Sequence, residues 1–395
     1  MSFHARFHGF IRGLYYSRIT VRGAAKVPPS GPLLVLCLHR NGATDGFVYR
    51  SAVSNLTYLV RARLRDNPIG KLFFSGLEVI RSGDGGTRDD NRRMIDSCVS
   101  HLQENNRLAI FPEGTSKLGP RHLPFKSGAA RIAHRFIENG TPLTVLPLGI
   151  HYECPWAFRS RVEIIVGEPM TLQATDSNLG HIKQRFTTAL EDVGFNVPDQ
   201  KTHDLAHRFA YIATLGTDHQ FFDKLKAMEH GLPSRAVQAW NDLEEKVQPR
   251  RVLRHQGVPL FPKGPAWLYA LLTILLAIPV LTGALLNLPP LAIGYWTARR
   301  CADDTNVIAL WRILPGVPAF VAWATAMVTL LLILEQVGAT IAYLSFTTVS
   351  LLGWYRFKKL AVASWNGLFH AGLRSDALAL HSLILTELPP QKSAS

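Results

Sequence analysis

The stretch LLVLCLHRNGATD, residues 33–45, contains an apolar segment of strand length that ends abruptly in His39. A short polar turn with Gly42 follows, and then comes Asp45. This pattern is typical of a buried strand that carries a titratable side chain to the edge of a sheet. A carboxylate bonded to one imidazole nitrogen fixes the tautomer and stabilises the imidazolium, so the pair fits a general base near pH 7. A turn histidine followed by an aspartate that caps the next helix is the alternative interpretation.

Around this stretch, apolar strands alternate with amphipathic helices, which predicts an α/β domain over residues 21–200. The predicted strands are 33–38, 56–61, 77–81, 107–111, 144–150 and 162–166, and the predicted helices are 45–54, 67–75, 88–104, 126–139 and 177–193. We expect a mixed sheet flanked by helices.

The charge of the chain is one-sided, with 43 Lys and Arg against 29 Asp and Glu and a formal net charge of +14. A nucleic-acid backbone or an anionic membrane surface would each attract such a chain. The hydrophobic content of 47% and the long apolar segments near the C-terminus favour the membrane. Because neither zinc-finger spacing nor a helix-turn-helix pattern occurs, we expect no nucleic-acid partner.

The four cysteines, Cys37, Cys98, Cys154 and Cys301, are widely scattered. Their spacing matches neither a metal site nor a disulfide framework, so we expect no metal and a reducing compartment. Oligomeric state is left open by the sequence.

Residues 1–20 place phenylalanines at helical spacing, with arginines off that stripe. An interfacial helix on anionic lipid and an ordinary helix packed on its own domain both fit this pattern. A signal peptide does not fit, because charges interrupt the apolar residues. Residues 201–262 are polar and charged and predict a helical linker region, with helices near 201–215 and 219–247.

The C-terminal part of the chain is strongly apolar, and residues 263–360 are predicted to form transmembrane hairpins before a tail at 361–395. Residues 266–285 can cross a bilayer core of about 30 Å, whereas the limb at 291–297 is too short to do so alone. The segments 317–334 and 337–354 form a second pair. Basic residues flank these apolar segments, and the positive-inside tendency favours the cytoplasmic side for them. With all of these flanks on that side, the chain enters the membrane and returns twice.

Arg81 follows the short strand predicted at 77–81, in the stretch SGLEVIRS. A guanidinium is always protonated, and its planar fork matches phosphate oxygens. A surface arginine at a strand end is the alternative.

The motif FPEGTSK, residues 111–117, comes directly after another apolar strand. Gly114 lets a backbone approach a ligand closely, and the hydroxyls of Thr115 and Ser116 with exposed amides can cradle an anion. Glu113 beside such a site would orient a cation or a hydroxyl. A turn stabilised by the Thr and Ser side chains is the alternative.

Two further stretches complete the pattern. Lys126 opens a helix in LPFKSGAA, where it either meets a ligand such as a phosphate or faces water. Pro147 interrupts the buried strand VLPLGI, and a proline there implies an edge or a bulge where a ligand can run past.

Taken in this order over residues 35–150, the motifs resemble the glycerophospholipid acyltransferase family, most specifically in FPEGTS followed by LPFKSGAA. That family esterifies glycerol phosphates and lysophospholipids from acyl-CoA or acyl carrier protein. The resemblance implies that the acyl donor is a co-substrate and that no cofactor is bound. It implies these site residues: His39 and Asp45 as the catalytic pair, Arg81, Glu113, Gly114, Thr115 and Ser116 for the substrate phosphate, and Lys126 and Pro147 as candidate donor or acceptor contacts.

The chain departs from the family pattern at two points. Five residues separate His39 from Asp45 where four are usual, and this longer turn resembles fungal glycerol-3-phosphate acyltransferases and bacterial relatives. Ser116 stands where an arginine is common. The resemblance implies acyl transfer to 1-acylglycerol 3-phosphate, which gives phosphatidic acid, with glycerol 3-phosphate as the alternative acceptor.

The alternative from another class is a non-catalytic, lipid-binding membrane protein that keeps the fold. The resemblance and the basic flanks together imply an integral membrane protein. Its expected place is a bacterial inner membrane, with the catalytic domain facing the cytoplasm.

Overall fold

A computed structural model of the protein describes residues 3–66, 68–79, 86–216 and 220–388. The chain forms two compact units. The first unit comprises Met1–Trp156, Val162–Asn196 and Asp303–Leu310, and the second comprises Ala157–Arg161, Val197–Ala302 and Trp311–Ser395.

The first unit is a mixed α/β sheet flanked by helices, so the predicted fold class is confirmed. Its strands are β1 (Arg18–Arg22), β2 (Leu33–Cys37), β3 (Leu56–Arg61), β4 (Gly76–Val79), β5 (Arg107–Ile110), β6 (Leu143–Tyr152), β7 (Arg161–Val166) and β8 (Met170–Leu172). Its helices are α1 (Phe3–Tyr15), α2 (Thr44–Tyr49), α3 (Pro68–Phe73), α4 (Arg88–Gln103), α5 (Gly128–Ile137) and α6 (Leu179–Asp192). Each predicted strand and helix of this region is present, with ends shifted by a few residues.

The sheet has the order β1-β7-β6-β2-β5-β3-β4, and β8 pairs with β6. The strand β2 runs parallel to both of its neighbours, and Leu36 lies in register with Ile110 of β5 on one side. Since β3 and β4 continue the parallel arrangement, the carboxyl ends of β2, β5, β3 and β4 share one edge. That edge is where open α/β sheets bind their ligands.

The core explains why β2 reads as an unbroken apolar run. Every residue of β2 is buried, as expected for a parallel strand with both faces covered. Leu34 and Leu36 belong to a cluster that includes Leu102 of α4 and Phe136 of α5. Both faces of β2, the strand that precedes His39, are therefore packed against other parts of the unit.

Of the two expectations for Pro147, an edge strand or a bulge, the edge strand is wrong. β6 lies inside the sheet, between β7 and β2, with Pro147 in register with Leu36. The proline is accommodated because β8 covers residues 143–145 of β6 and β7 begins its pairing at Leu148. Pro147 falls in the gap between these two partners, and its carbonyl accepts the Gly167 N–H at 2.9 Å.

Helix α1 packs on its own domain through one face. His8, Ile11 and Tyr15 are buried, and His8 Nε2 lies 2.8 Å from the Phe73 carbonyl. Burial lowers the pKa of His8 to about 4, so the side chain is neutral there. This contact fits the second of the two interpretations of residues 1–20.

The second unit is mainly helical. Its described elements are α7 (Gln200–Ala213), α8 (Phe221–Ala227), α9 (Ser234–Val247), the hairpin β9 (Arg254–His255) and β10 (Val258–Pro259), α10 (Ala266–Leu286), α11 (Leu288–Cys301), α12 (Ile308–Ile333), α13 (Val337–Phe369) and α14 (Arg374–Glu387). The single helix predicted near 219–247 is two helices, because Gly231 and Pro233 interrupt it.

Three helical segments are long and apolar enough to cross a membrane: Ala266–Leu286, Thr305–Ile333 and Val337–Phe369. With 14 residues, α11 is shorter than a bilayer core requires, as its sequence indicates. α10 and α13 approach closely, since a Cβ atom on Gly283 would lie 2.1 Å from the Phe346 carbonyl oxygen. These helices make the protein membrane-associated.

Candidate active site

His39 lies just beyond the carboxyl end of β2, and its Nδ1 is 2.9 Å from Asp45 Oδ2. The His39 side chain is 13% exposed, whereas Asp45 is fully buried. Because the carboxylate fixes the proton on Nδ1, Nε2 is the nitrogen that can accept a proton. Among the residues that the structure describes, no side chain or backbone group bonds to Nε2.

Asp45 accepts four hydrogen bonds. Its Oδ2 also accepts the backbone N–H groups of Arg40 at 2.7 Å and Asn41 at 2.8 Å, and its Oδ1 accepts the Tyr152 hydroxyl at 2.6 Å. Burial and the nearby Asp45 charge raise the pKa of Tyr152 well above its ordinary value, so the hydroxyl stays a donor. The carboxylate is held in place and fully satisfied, which suits an orienting role.

The longer turn between His39 and Asp45 does not prevent their contact. Gly42 lies in this turn in a left-handed conformation, with φ of +56°, and its carbonyl accepts the Asp45 N–H at 3.2 Å. The Thr44 hydroxyl bonds back to the Asn41 carbonyl. Helix α2 starts one residue before Asp45, and the Asp45 carboxylate lies within hydrogen-bond distance of the imidazole Nδ1.

Tyr152→Phe tests the fourth hydrogen bond of Asp45. The change leaves Oδ1 unsatisfied in a buried site, which costs about 1–3 kcal/mol. We expect kcat to fall roughly tenfold, with a lower unfolding temperature, because Asp45 then holds the imidazole less firmly. Initial rates and thermal unfolding measure both effects, with Tyr295→Phe, an exposed tyrosine of the second unit, as the control. Wild-type values for both would contradict this role for Tyr152.

The FPEGTSK loop meets His39 at the same edge of the sheet. The Phe111 ring stacks on the imidazole with ring centroids 4.1 Å apart and planes at 24°. The Lys117 N–H donates to the His39 carbonyl at 3.2 Å. β2 and β5 are parallel neighbours, and so the two motifs lie side by side although 72 positions separate His39 from Phe111.

Glu113 holds the backbone of this edge. It is only 1% exposed, and its Oε1 accepts the His39 N–H at 2.8 Å while Oε2 accepts the Leu123 N–H at 3.0 Å. Burial raises the pKa of Glu113, and the two N–H donors and Arg40 oppose that shift. Both oxygens are thus engaged with backbone, and contact with a substrate phosphate stays a prediction.

Lys126 lies against the backbone of Gly114. Gly114 is left-handed, with φ of +74°, and a Cβ atom there would lie 2.6 Å from Lys126 Nζ. The Lys126 N–H also donates to the Pro112 carbonyl at 2.8 Å. In the same loop, Thr115 is exposed and Ser116 is half-buried. Lys126 therefore lies against the FPEGTSK loop, and anion binding there stays a prediction.

Arg81 and Pro147 are the other two candidates from the sequence. Arg81 lies outside the described residues; β4, which precedes it, ends at Val79. Pro147 is buried within the sheet. Contacts of either residue with a substrate stay predictions.

Arg40 is a site residue that sequence reasoning missed. Its guanidinium is buried and donates to the carbonyls of Lys117 at 3.3 Å and Gly119 at 2.9 Å. Burial lowers the pKa of Arg40, and the nearby Glu113 and Asp45 charges oppose this. The turn sequence carries no signal for this role, because arginine is usually exposed. Tyr152 was missed too, because it is the last residue of β6 and lies 107 positions from Asp45 in the sequence.

No metal or thiol chemistry is indicated by the side chains of the described residues. Among them, no group of three or more His, Cys, Asp or Glu could hold a metal ion. Cys37 and Cys98 are buried, and burial raises the pKa of each thiol, so neither is an activated nucleophile.

Comparison with known proteins agrees with this geometry. A family model described as acyltransferase matches residues 18–151, which contain His39, Asp45 and the FPEGTSK loop. The segment is an acyltransferase domain. The family resemblance seen in the sequence is confirmed.

The relatives are acyltransferases by name. A glycerol-3-phosphate O-acyltransferase of Saccharomyces cerevisiae is 26% identical over 206 residues, covering 46% of this chain and 27% of the yeast protein. A 1-acyl-sn-glycerol-3-phosphate acyltransferase of Helicobacter pylori is 27% identical over 150 residues, covering 36% of this chain and 61% of that protein. The chain thus spans about a quarter of the yeast relative and less than two thirds of the bacterial one.

One solved structure is also similar, the 1-acyl-sn-glycerophosphate acyltransferase of Thermotoga maritima. The TM-score is 0.36 at 18% identity, over 48% of this chain and 77% of that one.

Proposed function

We propose that the protein transfers a fatty acyl group from a thioester donor to the hydroxyl of a glycerophosphate, with His39 as general base. The observation that carries the proposal is the 2.9 Å contact between His39 Nδ1 and the buried Asp45, which leaves Nε2 available beside the FPEGTSK loop. The acyltransferase domain over residues 18–151 supports the reaction type.

The proposed reaction uses this geometry. His39 Nε2 removes the proton from the acceptor hydroxyl as its oxygen attacks the thioester carbonyl carbon. The tetrahedral intermediate collapses, the carbon–sulfur bond breaks, and the proton passes from His39 to the leaving thiolate. Asp45 stabilises the imidazolium in between. General base catalysis supplies about two to four orders of magnitude in rate, and positioning and oxyanion donors supply the rest.

The acceptor phosphate binds at the FPEGTSK loop in this proposal. The Lys126 ammonium, which lies against Gly114, and the hydroxyls of Thr115 and Ser116 are the groups with the matching charge and polarity. Arg81 is the further candidate from the sequence. Glu113 acts through the backbone groups that it holds, since both of its oxygens accept N–H bonds.

The acceptor is 1-acylglycerol 3-phosphate in the first proposal, and the product is then phosphatidic acid. Glycerol 3-phosphate is the second candidate, favoured by the longer His39–Asp45 turn and by the name of the yeast relative. Both acceptors carry a phosphate monoester, so the same loop serves either one. The proposed acyl donor is acyl-CoA or acyl carrier protein. The proposed location of the protein is a bacterial inner membrane, with the catalytic domain on the cytoplasmic side.

A panel of acceptors separates these proposals. Full-length protein in lipid nanodiscs is incubated with labelled oleoyl-CoA and, separately, glycerol 3-phosphate, lysophosphatidic acid or lysophosphatidylcholine. We expect label to enter one of the two phosphate monoesters, and to enter lysophosphatidylcholine at least about tenfold more slowly, because a phosphodiester carries less charge at the loop. Binding of the lipids without any transfer would instead indicate a non-catalytic lipid-binding protein.

A further inference from the structure

The segment Asp303–Leu310 belongs to the first unit, although it follows α11 near the C-terminal end of the sequence. Its 3-10 turn, Thr305–Val307, carries Asn306, which is 4% exposed. Asn306 Nδ2 donates to the Ser116 carbonyl at 2.8 Å and to the Ser116 Oγ at 3.0 Å. Both N–H groups of one buried amide are thus directed at a single residue of the FPEGTSK loop, 190 positions away.

The same turn also contacts the loop between His39 and Asp45. A Cβ atom on Gly42 would lie 3.2 Å from the Asn306 carbonyl oxygen and 3.4 Å from Val307 Cγ1. Directly after Ser116, the Lys117 N–H donates to the His39 carbonyl. Asn306 is therefore joined to the backbone of the catalytic histidine through two consecutive residues of the FPEGTSK loop.

The direction of the Asn306–Ser116 hydrogen bond has a chemical consequence. An amide N–H can only donate, so Ser116 Oγ is the acceptor in this contact. The serine has one hydroxyl proton, and with Oγ accepting from Asn306 this proton is directed to a different partner. Ser116 is half-buried, with Lys126 lying against Gly114 of the same loop. A phosphate oxygen at this position would receive the proton of Ser116.

We propose that Asn306 is a positioning residue that fixes Ser116 as a hydrogen-bond donor to the acceptor phosphate. The inference rests on the proposed function in one respect, that the FPEGTSK loop binds this phosphate. Related sequences commonly have an arginine at the position of Ser116. In this protein the Ser116 hydroxyl, held by the neutral amide of Asn306, then donates to the phosphate in its place. Asn306 accordingly acts on the substrate site from a distant part of the sequence.

Calorimetric titration of glycerol 3-phosphate into the full-length protein in nanodiscs tests this without turnover. Asn306→Asp keeps the shape of the side chain but removes both N–H donors and adds a negative charge. We expect it to raise the Kd by about tenfold or more, the size of a lost hydrogen bond to a charged group. Thr305→Ala changes the exposed neighbour in the same turn, whose hydroxyl donates to Asp304, and should leave the Kd unchanged.

A double-mutant cycle separates positioning from a purely structural contact. If Asn306 acts through Ser116, Asn306→Ala raises the Kd in the wild-type background but has little further effect when Ser116→Ala is already present. Thermal unfolding of each variant identifies any that do not fold. If Asn306→Ala does not fold, the test rests on Asn306→Asp, because aspartate keeps the shape of the asparagine side chain.

Three results would overturn the inference: no binding of glycerol 3-phosphate by the wild type, an unchanged Kd in Asn306→Asp, or equal effects of Asn306→Ala in both backgrounds. Failure of the proposed function is seen differently. A wild type that binds glycerol 3-phosphate in an Asn306-dependent way, but acylates no acceptor, would refute acyl transfer and leave the inference standing.

Discussion

His39→Ala is expected to lower kcat for acyl transfer by about three orders of magnitude, within the range that general base catalysis supplies. The imidazole is the group that Asp45 orients toward the open side of the sheet edge, and alanine can take no proton. The variant should still fold, because it removes the stacking on Phe111 and one hydrogen bond of the buried Asp45, while the other three hydrogen bonds of Asp45 remain. Product formation from labelled oleoyl-CoA under saturating acceptor measures the change.

The matched control for this variant is His181→Ala. His181 is exposed near the start of α6, in the same unit as His39. We expect this control to turn over like the wild type. More than a tenth of the wild-type kcat in a folded His39→Ala protein would contradict the role of His39.

Asp45→Asn is expected to have the second largest effect, a fall in kcat of about two orders of magnitude with little change in KM. The amide oxygen can take the position of Oδ2, and its NH2 group can then donate to the Tyr152 hydroxyl. The polar contacts therefore survive in number, and the loss of stability should stay within about 1–3 kcal/mol. What disappears is the negative charge that stabilises the imidazolium.

The comparison of Asp45→Asn with Tyr152→Phe separates charge from geometry. Tyr152→Phe keeps the carboxylate and loosens it, so its effect on kcat should be smaller by at least about tenfold. Equal effects of the two variants would show that the charge of Asp45 contributes nothing beyond its position. A wild-type kcat for folded Asp45→Asn would contradict the role of the Asp45 negative charge in stabilising the imidazolium.

The strands of the first unit were predictable because parallel, buried strands read as nearly continuous apolar runs. β2 is the clearest case, because its five residues and the following Leu38 are all buried between Gly31-Pro32 and His39. The contact between His39 and Asp45 was predictable for a similar reason, because six positions along the chain keep the two side chains close. By contrast, β1 and β8 escaped prediction, since they are short and largely unburied.

Contacts that join distant parts of the chain could not be predicted from local pattern. Tyr152 reaches Asp45 across 107 positions, and Asn306 reaches Ser116 across 190. The buried guanidinium of Arg40 was hidden because the carbonyls that it binds become neighbours only when the FPEGTSK loop folds beside β2. Periodicity and propensity carry no information on such pairs.

The most direct test of the central claim is the release of CoA thiol and the formation of ester, both measured in one sample with and without acceptor. We expect the wild type to release one CoA for each ester formed, and only when acceptor is present, because the acceptor hydroxyl is the nucleophile. His39→Ala should show neither. A burst of CoA equal to the amount of enzyme in the absence of acceptor, or wild-type release by His39→Ala, would contradict direct transfer with His39 as the base.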